Sequence, residues 1–464
     1  MEKIQANMDI LFNPNSIAVI GASNSPDKLG FHVMNSLTKG GYRGEIIPVN
    51  PNSEKVMGYN AFKSISDIKK EIDVAIVVLP ANRVPDVFRE CADKPVKGVV
   101  LITAGFKEID DPVGVALHEE VALLANRAGI PVVGPNTFGM ANFQVDLNAS
   151  FTPEYSFLKK GDISLVSQSG GISALLGYLG MRMDLGFSKI VGLGNRLNVD
   201  FAHMIEYLMN DPDTKVIILY IEGIDEPRGL IEVARKYRGK KPIIAFKSGS
   251  ARIGDQASMS HTGSIAGRHE IYYGSFRQTG ILGTDSMESL LDTAKALAAC
   301  PFPEGPNIAI LSGQAGLGMV ACDLCDADGL KIVPFNESTQ KKINEILPPL
   351  ALRTNPVDMG PAWYNSAAIK KIVRTVMGDT NINGIIFQMM FASANRDVVL
   401  VLTELLSSYR QQKPVISCIL SPPGIWDEQV RSLEQSRSLV NYPTPDRAAR
   451  AMANLRKYGA MQSG

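Results

Sequence analysis

From Ser16 onward, short apolar runs alternate with longer segments whose apolar residues recur at helical spacing, and this alternation constrains the fold more than any other feature of the chain. A strand covered on both faces reads as a continuous apolar run, whereas a helix lying on a sheet needs only one apolar stripe. Repeated in that order, the pattern predicts βαβ units on parallel sheets. In the first third, strands are expected at 16–20, 46–49, 74–79, 99–102 and 131–133, with helices at 31–39, 84–92 and 113–128. A second series has strands at 162–166, 190–193, 216–221 and 242–247, then a helix from about Arg268. A third has strands at 307–311, 331–333, 384–388 and 414–420 and closes with a helix at 446–458. Between the last two series, Pro301-Phe-Pro-Glu-Gly-Pro306 can continue neither a helix nor a central strand. A chain of 464 residues is too long for one core. The expected fold class is therefore α/β, with three doubly wound domains of mainly parallel sheet at 1–150, 151–298 and 307–464 and a linker at 299–306.

Charge narrows the partners. The chain carries 47 basic and 47 acidic residues, so it has no field of one sign to recruit nucleic acid or an anionic membrane, and a small-molecule substrate is favoured. The cysteines, Cys91, Cys300, Cys322, Cys325 and Cys418, are odd in number and read as reduced thiols of a cytoplasmic protein. Cys322 and Cys325 lie within an apolar-periodic helix without a second pair or a nearby histidine, so no metal site is read from them. The segment from Met1 to Leu11 has polar and acidic residues where a signal peptide needs an apolar stretch, and no run approaches the ~20 apolar residues of a membrane span.

Three strand-to-helix turns are rich in glycine and small hydroxyl residues, a composition that leaves backbone N–H groups open at the positive end of a helix. The first, Gly21-Ala22-Ser23-Asn24 with Lys28 and Gly30 beyond it, suggests a nucleotide diphosphate site. It is not the Gly-x-Gly-x-x-Gly fingerprint, and the next strand ends in Val49-Asn50-Pro51 without an acidic residue for a ribose, which argues against NAD and a dehydrogenase. The second is Ser167-Gln168-Ser169-Gly170-Gly171 and the third Ser312-Gly313-Gln314-Ala315-Gly316. Either alone could serve helix packing. Two such helix starts directed at one place would stabilise a phosphate from both sides.

Between Lys247 and Arg268 lies a stretch of mainly small residues containing Ser260-His261-Thr262-Gly263-Ser264, with Gly249, Gly254 and Gly263 as expected hinges. A histidine so flanked has no apolar neighbours to bury it, and its neutral imidazole is nucleophilic near pH 7. The other histidines, His32, His118, His203 and His269, fall in helix-like segments and are read as structural. Glu222 follows the strand at 216–221, where parallel sheets gather ligand groups, and its carboxylate could fix the tautomer of His261.

Together these motifs resemble the α subunit of the ADP-forming acetyl-CoA synthetases, in the superfamily of succinyl-CoA synthetase. The resemblance also draws on Leu79-Pro-Ala81, Thr103-Ala-Gly-Phe106, Gly134-Pro-Asn136 and Asn355-Pro-Val-Asp358, and it covers nearly the whole chain. It implies a Rossmann-like CoA-binding domain followed by two flavodoxin-like domains. By that resemblance the nucleotide of CoA falls to Gly21, Ser23, Asn24, Lys28 and Asn50, and the pantetheine end to Pro80, Thr103, Ala104 and Gly105. His261 would be the phosphorylated residue, with Glu222 assisting it. Ser167, Ser169, Gly170 and Gly171, and Gly313, Gln314, Ala315 and Gly316, would hold phosphate. The implied reaction interconverts acyl-CoA, ADP and phosphate with free acid, CoA and ATP, through acyl phosphate and phosphohistidine. Gln314, where relatives often have glycine, and Thr137-Phe138, where others have Cys-Leu, depart from the pattern without removing a catalytic group.

No ATP-grasp domain follows the third series before residue 464. The expected partner is accordingly a β subunit with that fold, holding ADP or ATP and Mg²⁺, in an α2β2 assembly. A catalytically silent CoA-sensing module is the alternative, and loss of His261 or Glu222 would favour it; both are present. Trp363, Tyr364 and Phe391 are aromatic residues that could shape an acyl pocket.

Overall fold

The computed structural model describes residues 2–94, 96–250, 269–350, 352–409 and 412–463, and the chain divides into two compact units, Met1–Gly283 and Thr284–Gly464. No helix among the described residues is long and apolar enough to cross a membrane.

The first unit holds two large sheets. One is parallel throughout, in the order Glu45–Val49, Ser16–Ile20, Ile72–Val77, Val96–Leu101, Val132–Val133. Helices Leu29–Lys39, Val84–Asp93 and Pro112–Ala128 make its crossovers. The side chain of Asp111 caps the last of these by accepting the N–H of Val113 at 2.9 Å. The other sheet runs Ile281–Gly283, Ile243–Lys247, Val216–Ile221, Lys159–Ser167, Gly186–Gly192, Gly139–Asn142, Leu147–Ser150. All six residues of Val216–Ile221 are buried, as its unbroken apolar run requires of a central strand. One apolar core, from Met8, Leu11 and Phe12 through Met140 and Val166 to Phe201, spans both sheets.

The hairpin Gly139–Asn142 with Leu147–Ser150 departs from the expected division, which carried the first domain to 150. Its strands join the second sheet, antiparallel to Gly186–Gly192 and to each other. A parallel sheet can gain such an edge without a crossover, because antiparallel strands need only a short turn.

The second unit has a parallel sheet in the order Lys331–Ile332, Asn307–Ser312, Gly384–Met390, Val415–Leu420, Val440–Asn441, with Val357–Asp358 also beside Asn307–Ser312. Helix Met287–Ala299, which the order of elements had assigned to the preceding domain, packs here against Pro445–Ser463. The cause is a buried polar joint. Arg447 donates Nε and Nη2 to the two carboxylate oxygens of Asp292 at 2.8 and 2.7 Å, and the Tyr442 hydroxyl donates to the Asp292 carbonyl at 2.6 Å. The division between units therefore falls at 283/284, ahead of the proline-rich linker rather than within it.

Candidate functional site

In the first sheet, the strand after Ser16–Ile20 lies on one side of it and the strand after that on the other, so a crevice opens at the carboxyl ends where the order reverses. A cleft of about 580 Å³ occupies this place, lined by Gly21, Ser23, Lys28, Asn50 and Pro80, all five singled out from the sequence. Lys63 and Arg83 line it as well and had not been foreseen; with Lys28 they bring three positive charges. Acidic groups are also present, in Asp86 and Glu90.

Gly21 sits at φ +94°, and the N–H of Gly21 is bonded to the Val49 carbonyl at 3.1 Å. Helix Leu29–Lys39 begins against this turn with no side-chain cap. A Cβ on Gly30 would lie 2.0 Å from the Gly21 carbonyl oxygen, so only glycine allows the helix start to come this close. Gly30→Ala should push the helix away, costing about 2 kcal/mol of stability and at least about tenfold in CoA affinity. Calorimetric titration with CoA, beside a denaturation curve, measures both effects.

Two asparagines in this region are occupied. Asn50 donates Nδ2 to the Ala22 carbonyl at 2.8 Å and accepts the Asn52 N–H, binding the two turns together. Asn24 does not line the cleft; it donates to the Lys55 carbonyl at 2.9 Å and accepts from the Met57 N–H at 2.8 Å, anchoring the small hairpin there.

Thr103, Ala104 and Gly105 form the next turn along the sheet edge, outside the cleft lining but beside Leu79 and Ala81. The Thr103 hydroxyl donates to the Leu79 carbonyl at 2.8 Å. Glu108 holds this turn: its carboxylate accepts the N–H groups of Gly105 and Phe106, and it also accepts from the Asn195 side chain, at the end of a strand of the second sheet. Arg196, beside it, bonds Asp225 at 3.0 Å, which Lys107 also reaches at 3.4 Å. His118 stands against Phe106, and burial, then the charge of Lys107, pushes it down to about 4, which keeps it neutral near pH 7.

The two remaining turns are built alike. Ser167 is wholly buried; its hydroxyl donates to the Ser169 carbonyl at 2.9 Å and accepts the Ser169 N–H at 3.1 Å. Ser312 does the same two residues on, with the Gln314 carbonyl at 2.7 Å and the Gln314 N–H at 3.3 Å. Both serine hydroxyls are thus spent on shaping the turn. The following helices, Gly170–Arg182 and Ala315–Ala327, start with exposed Gly170 and Gly171, and exposed Ala315 and Gly316. A Cβ on Gly171 or Gly316 would meet nothing within 4 Å, so each first turn faces open space. Gly313 is different: it is buried, and its Cβ would strike the Met389 sulfur at 2.8 Å.

Glu222 comes next to the Ser167–Gly171 turn. It is 7% exposed at the end of Val216–Ile221, the strand paired with Lys159–Ser167. Tyr220 lies two residues back on the same strand; burial pushes its phenol up to about 12, a hydrogen bond with Ser248 opposing this and the Glu222 charge adding to it, so it stays protonated near pH 7. His261, with Ser260, Thr262 and the hinge residues Gly254 and Gly263, lies outside the described residues. Of the aromatic residues considered for an acyl pocket, Trp363 and Phe391 pack on the core of the second unit, Phe391 edge-on to Trp426 at 5.1 Å, while Tyr364 is exposed.

Comparison with known proteins gives the family. Residues 15–142 match a family described as "CoA binding domain", and residues 160–297 one described as "Succinyl-CoA ligase like flavodoxin domain". The chain is 36% identical to the acetate–CoA ligase [ADP-forming] II subunit alpha of Pyrococcus furiosus, over 96% of each chain. It is 34% identical to the acetate–CoA ligase [ADP-forming] of Methanocaldococcus jannaschii, covering 97% of this chain but 63% of that longer protein. A solved structure, the dinucleotide-forming acetyl-coenzyme A synthetase 1 of Ca. Korarchaeum cryptofilum in complex with phosphate and ADP, superposes with a TM-score of 0.89 at 32% identity, over 98% of this chain and 97% of that one. On identity sustained over nearly the full length of both sequences, the chain belongs to the family of ADP-forming acetate–CoA ligase α subunits, in the succinyl-CoA ligase superfamily.

Proposed function

We propose that this α subunit carries out the CoA side of an ADP-forming acid–CoA ligase reaction and passes a phosphoryl group through His261 to a partner. CoA lies in the cleft of the first sheet, its phosphates met by Lys28, Lys63 and Arg83 and by the open helix start beyond Gly21, while the turn Thr103–Gly105 receives the thioester end. Inorganic phosphate, held at the Gly170–Gly171 helix start, attacks the thioester carbonyl. The carbon–sulfur bond breaks, CoA leaves as the thiolate, and acyl phosphate remains. The unprotonated imidazole nitrogen of His261 then attacks phosphorus, and the free acid leaves with the electrons of the broken phosphorus–oxygen bond. Glu222 accepts the other ring N–H and stabilises the positive charge that the imidazole gains. A β subunit with an ATP-grasp fold supplies ADP and Mg²⁺ and takes the phosphoryl group, in an α2β2 assembly of the cytoplasm.

The supporting observation is the adjacency of a buried carboxylate, Glu222, to an open helix start at Gly170, on neighbouring strands of one sheet. Such a pairing suits a carrier that must be oriented by one group and phosphorylated beside the other. With the partner present, release of CoA thiol from acetyl-CoA should require inorganic phosphate, and release beyond about one equivalent per α subunit should require ADP as well. Thiol release that proceeds at full rate without phosphate would mean hydrolysis or another acceptor and would exclude this reaction.

A further inference from the structure

The strand pairing between Lys159–Ser167 and Val216–Ile221 ends with Ser167 opposite Tyr220, and one more backbone bond, from the Gln168 N–H to the Tyr220 carbonyl at 3.2 Å, closes the ladder. Glu222 lies beyond it, one residue past the Ile221–Lys247 pair that ends the ladder on the other side. The side chain of Gln168 takes over there. Its Oε1 accepts the N–H of Glu222 and, at 3.0 Å, that of Gly223, and its Nε2 donates to the Gly223 carbonyl at 2.8 Å. The amide of one side chain thus continues the ladder for two residues. On the far side, the Tyr272 hydroxyl accepts the Ile224 N–H at 3.0 Å, so three successive N–H groups of the Glu222 turn are bonded to side chains. Gln168 is 5% exposed, which strengthens these bonds and makes them costly to lose.

The second unit repeats the device in reduced form. There Ser312 stands opposite Gln388, Gly313 donates its N–H to the Gln388 carbonyl at 2.9 Å, and Gln314 Oε1 accepts the Met390 N–H at 3.4 Å. In both places a glutamine of the turn reaches the residue two beyond the last paired one. In the first unit alone, the residue so held is a buried carboxylate.

We propose that Gln168 is the positioning residue for Glu222, fixing the backbone from which that carboxylate is presented. The inference rests on the role of Glu222 given above. A carboxylate that must meet one ring nitrogen cannot drift by an ångström without loss of rate, and the Gln168 amide ties its backbone to the end of the neighbouring strand.

The test uses the full chain with its partner subunit, acetyl-CoA and labelled inorganic phosphate, following phosphorylation of this chain. Gln168→Met keeps the volume and removes all three bonds; it should slow phosphorylation about tenfold to a hundredfold and leave the KM for acetyl-CoA within about twofold. Gln168→Glu keeps both acceptor bonds but turns an acceptor toward the Gly223 carbonyl and adds a charge near Glu222, so it should recover only part of the rate. In a Glu222→Gln background neither substitution should slow the reaction further, because each acts through a carboxylate already gone. Calorimetric CoA binding confirms that each variant is folded, and either variant suffices for the cycle. Losses that multiply in the double variants, or a KM that rises as much as the rate falls, would overturn the proposal. An unslowed Gln168→Met beside a slowed Glu222→Gln overturns the clamp alone. A Glu222→Gln that phosphorylates at the wild-type rate overturns the role of Glu222 and the clamp with it.

Discussion

His261→Ala is expected to lower the rate of acyl-CoA-driven ATP formation by about 10⁴-fold or more while leaving CoA affinity unchanged. The size follows from what is removed. Without the imidazole there is no nucleophile to accept the phosphoryl group from acyl phosphate, and the group cannot reach ADP by the same route. Affinity should survive because the cleft is built from residues of the first sheet and its turns, from Ile20 to Glu90. The first half-reaction should survive too, so acyl phosphate should accumulate and be trapped with hydroxylamine as a hydroxamate. Stopped-flow assay of ATP and colorimetric assay of hydroxamate separate these outcomes. A variant that forms neither product would place His261 earlier in the reaction than the phosphoryl relay.

The second large effect is expected from Glu222→Gln, with a fall of about 10²- to 10⁴-fold in the phosphorylation rate and little change in CoA binding. Glutamine is nearly the same shape, so packing at this buried position is preserved. What changes is the charge and the sense of the hydrogen bond. An amide can donate where the carboxylate only accepts, which favours the wrong imidazole tautomer, and it lacks the negative charge that stabilises the phosphorylated ring. Equal losses of CoA binding and rate would show that Glu222 supports the structure as a whole rather than the relay.

Much of the fold was legible because buried parallel strands announce themselves as apolar runs. Ser16–Ile20 and Val216–Ile221 were placed to the residue, and helix Val84–Asp93 to within one. The departures arose where pairing depends on distant residues. Gly139–Asn142 and Leu147–Ser150 are short and mostly small, and nothing local says that they join the second sheet. Helix Met287–Ala299 follows the second series in sequence, yet Asp292 finds Arg447, 155 residues away. The candidate site divides in the same manner. Turns whose chemistry lies in their own residues, such as Gly21–Ser23 and Ser169–Gly171, could be recognised from spacing. Lys63 and Arg83 could not, because each lines a turn contributed by another element, and Glu108, though it caps its own turn, is also bonded to Asn195, 87 residues on. Gln168 was visible within its motif, but its function depends on Glu222, 54 residues on, and becomes apparent only when the two strand ends are side by side.

On the proposed function, this chain accepts a phosphoryl group from an acyl phosphate and holds it on one histidine. The most direct measurement is to incubate the enzyme with acetyl-CoA and phosphate, omit ADP, and locate the phosphoryl group by mass spectrometry under alkaline conditions that preserve phosphohistidine. One phosphoryl group per α subunit is expected, on His261, lost on addition of ADP. Phosphate on any other residue, or none on a chain that still turns over with ADP, would contradict it.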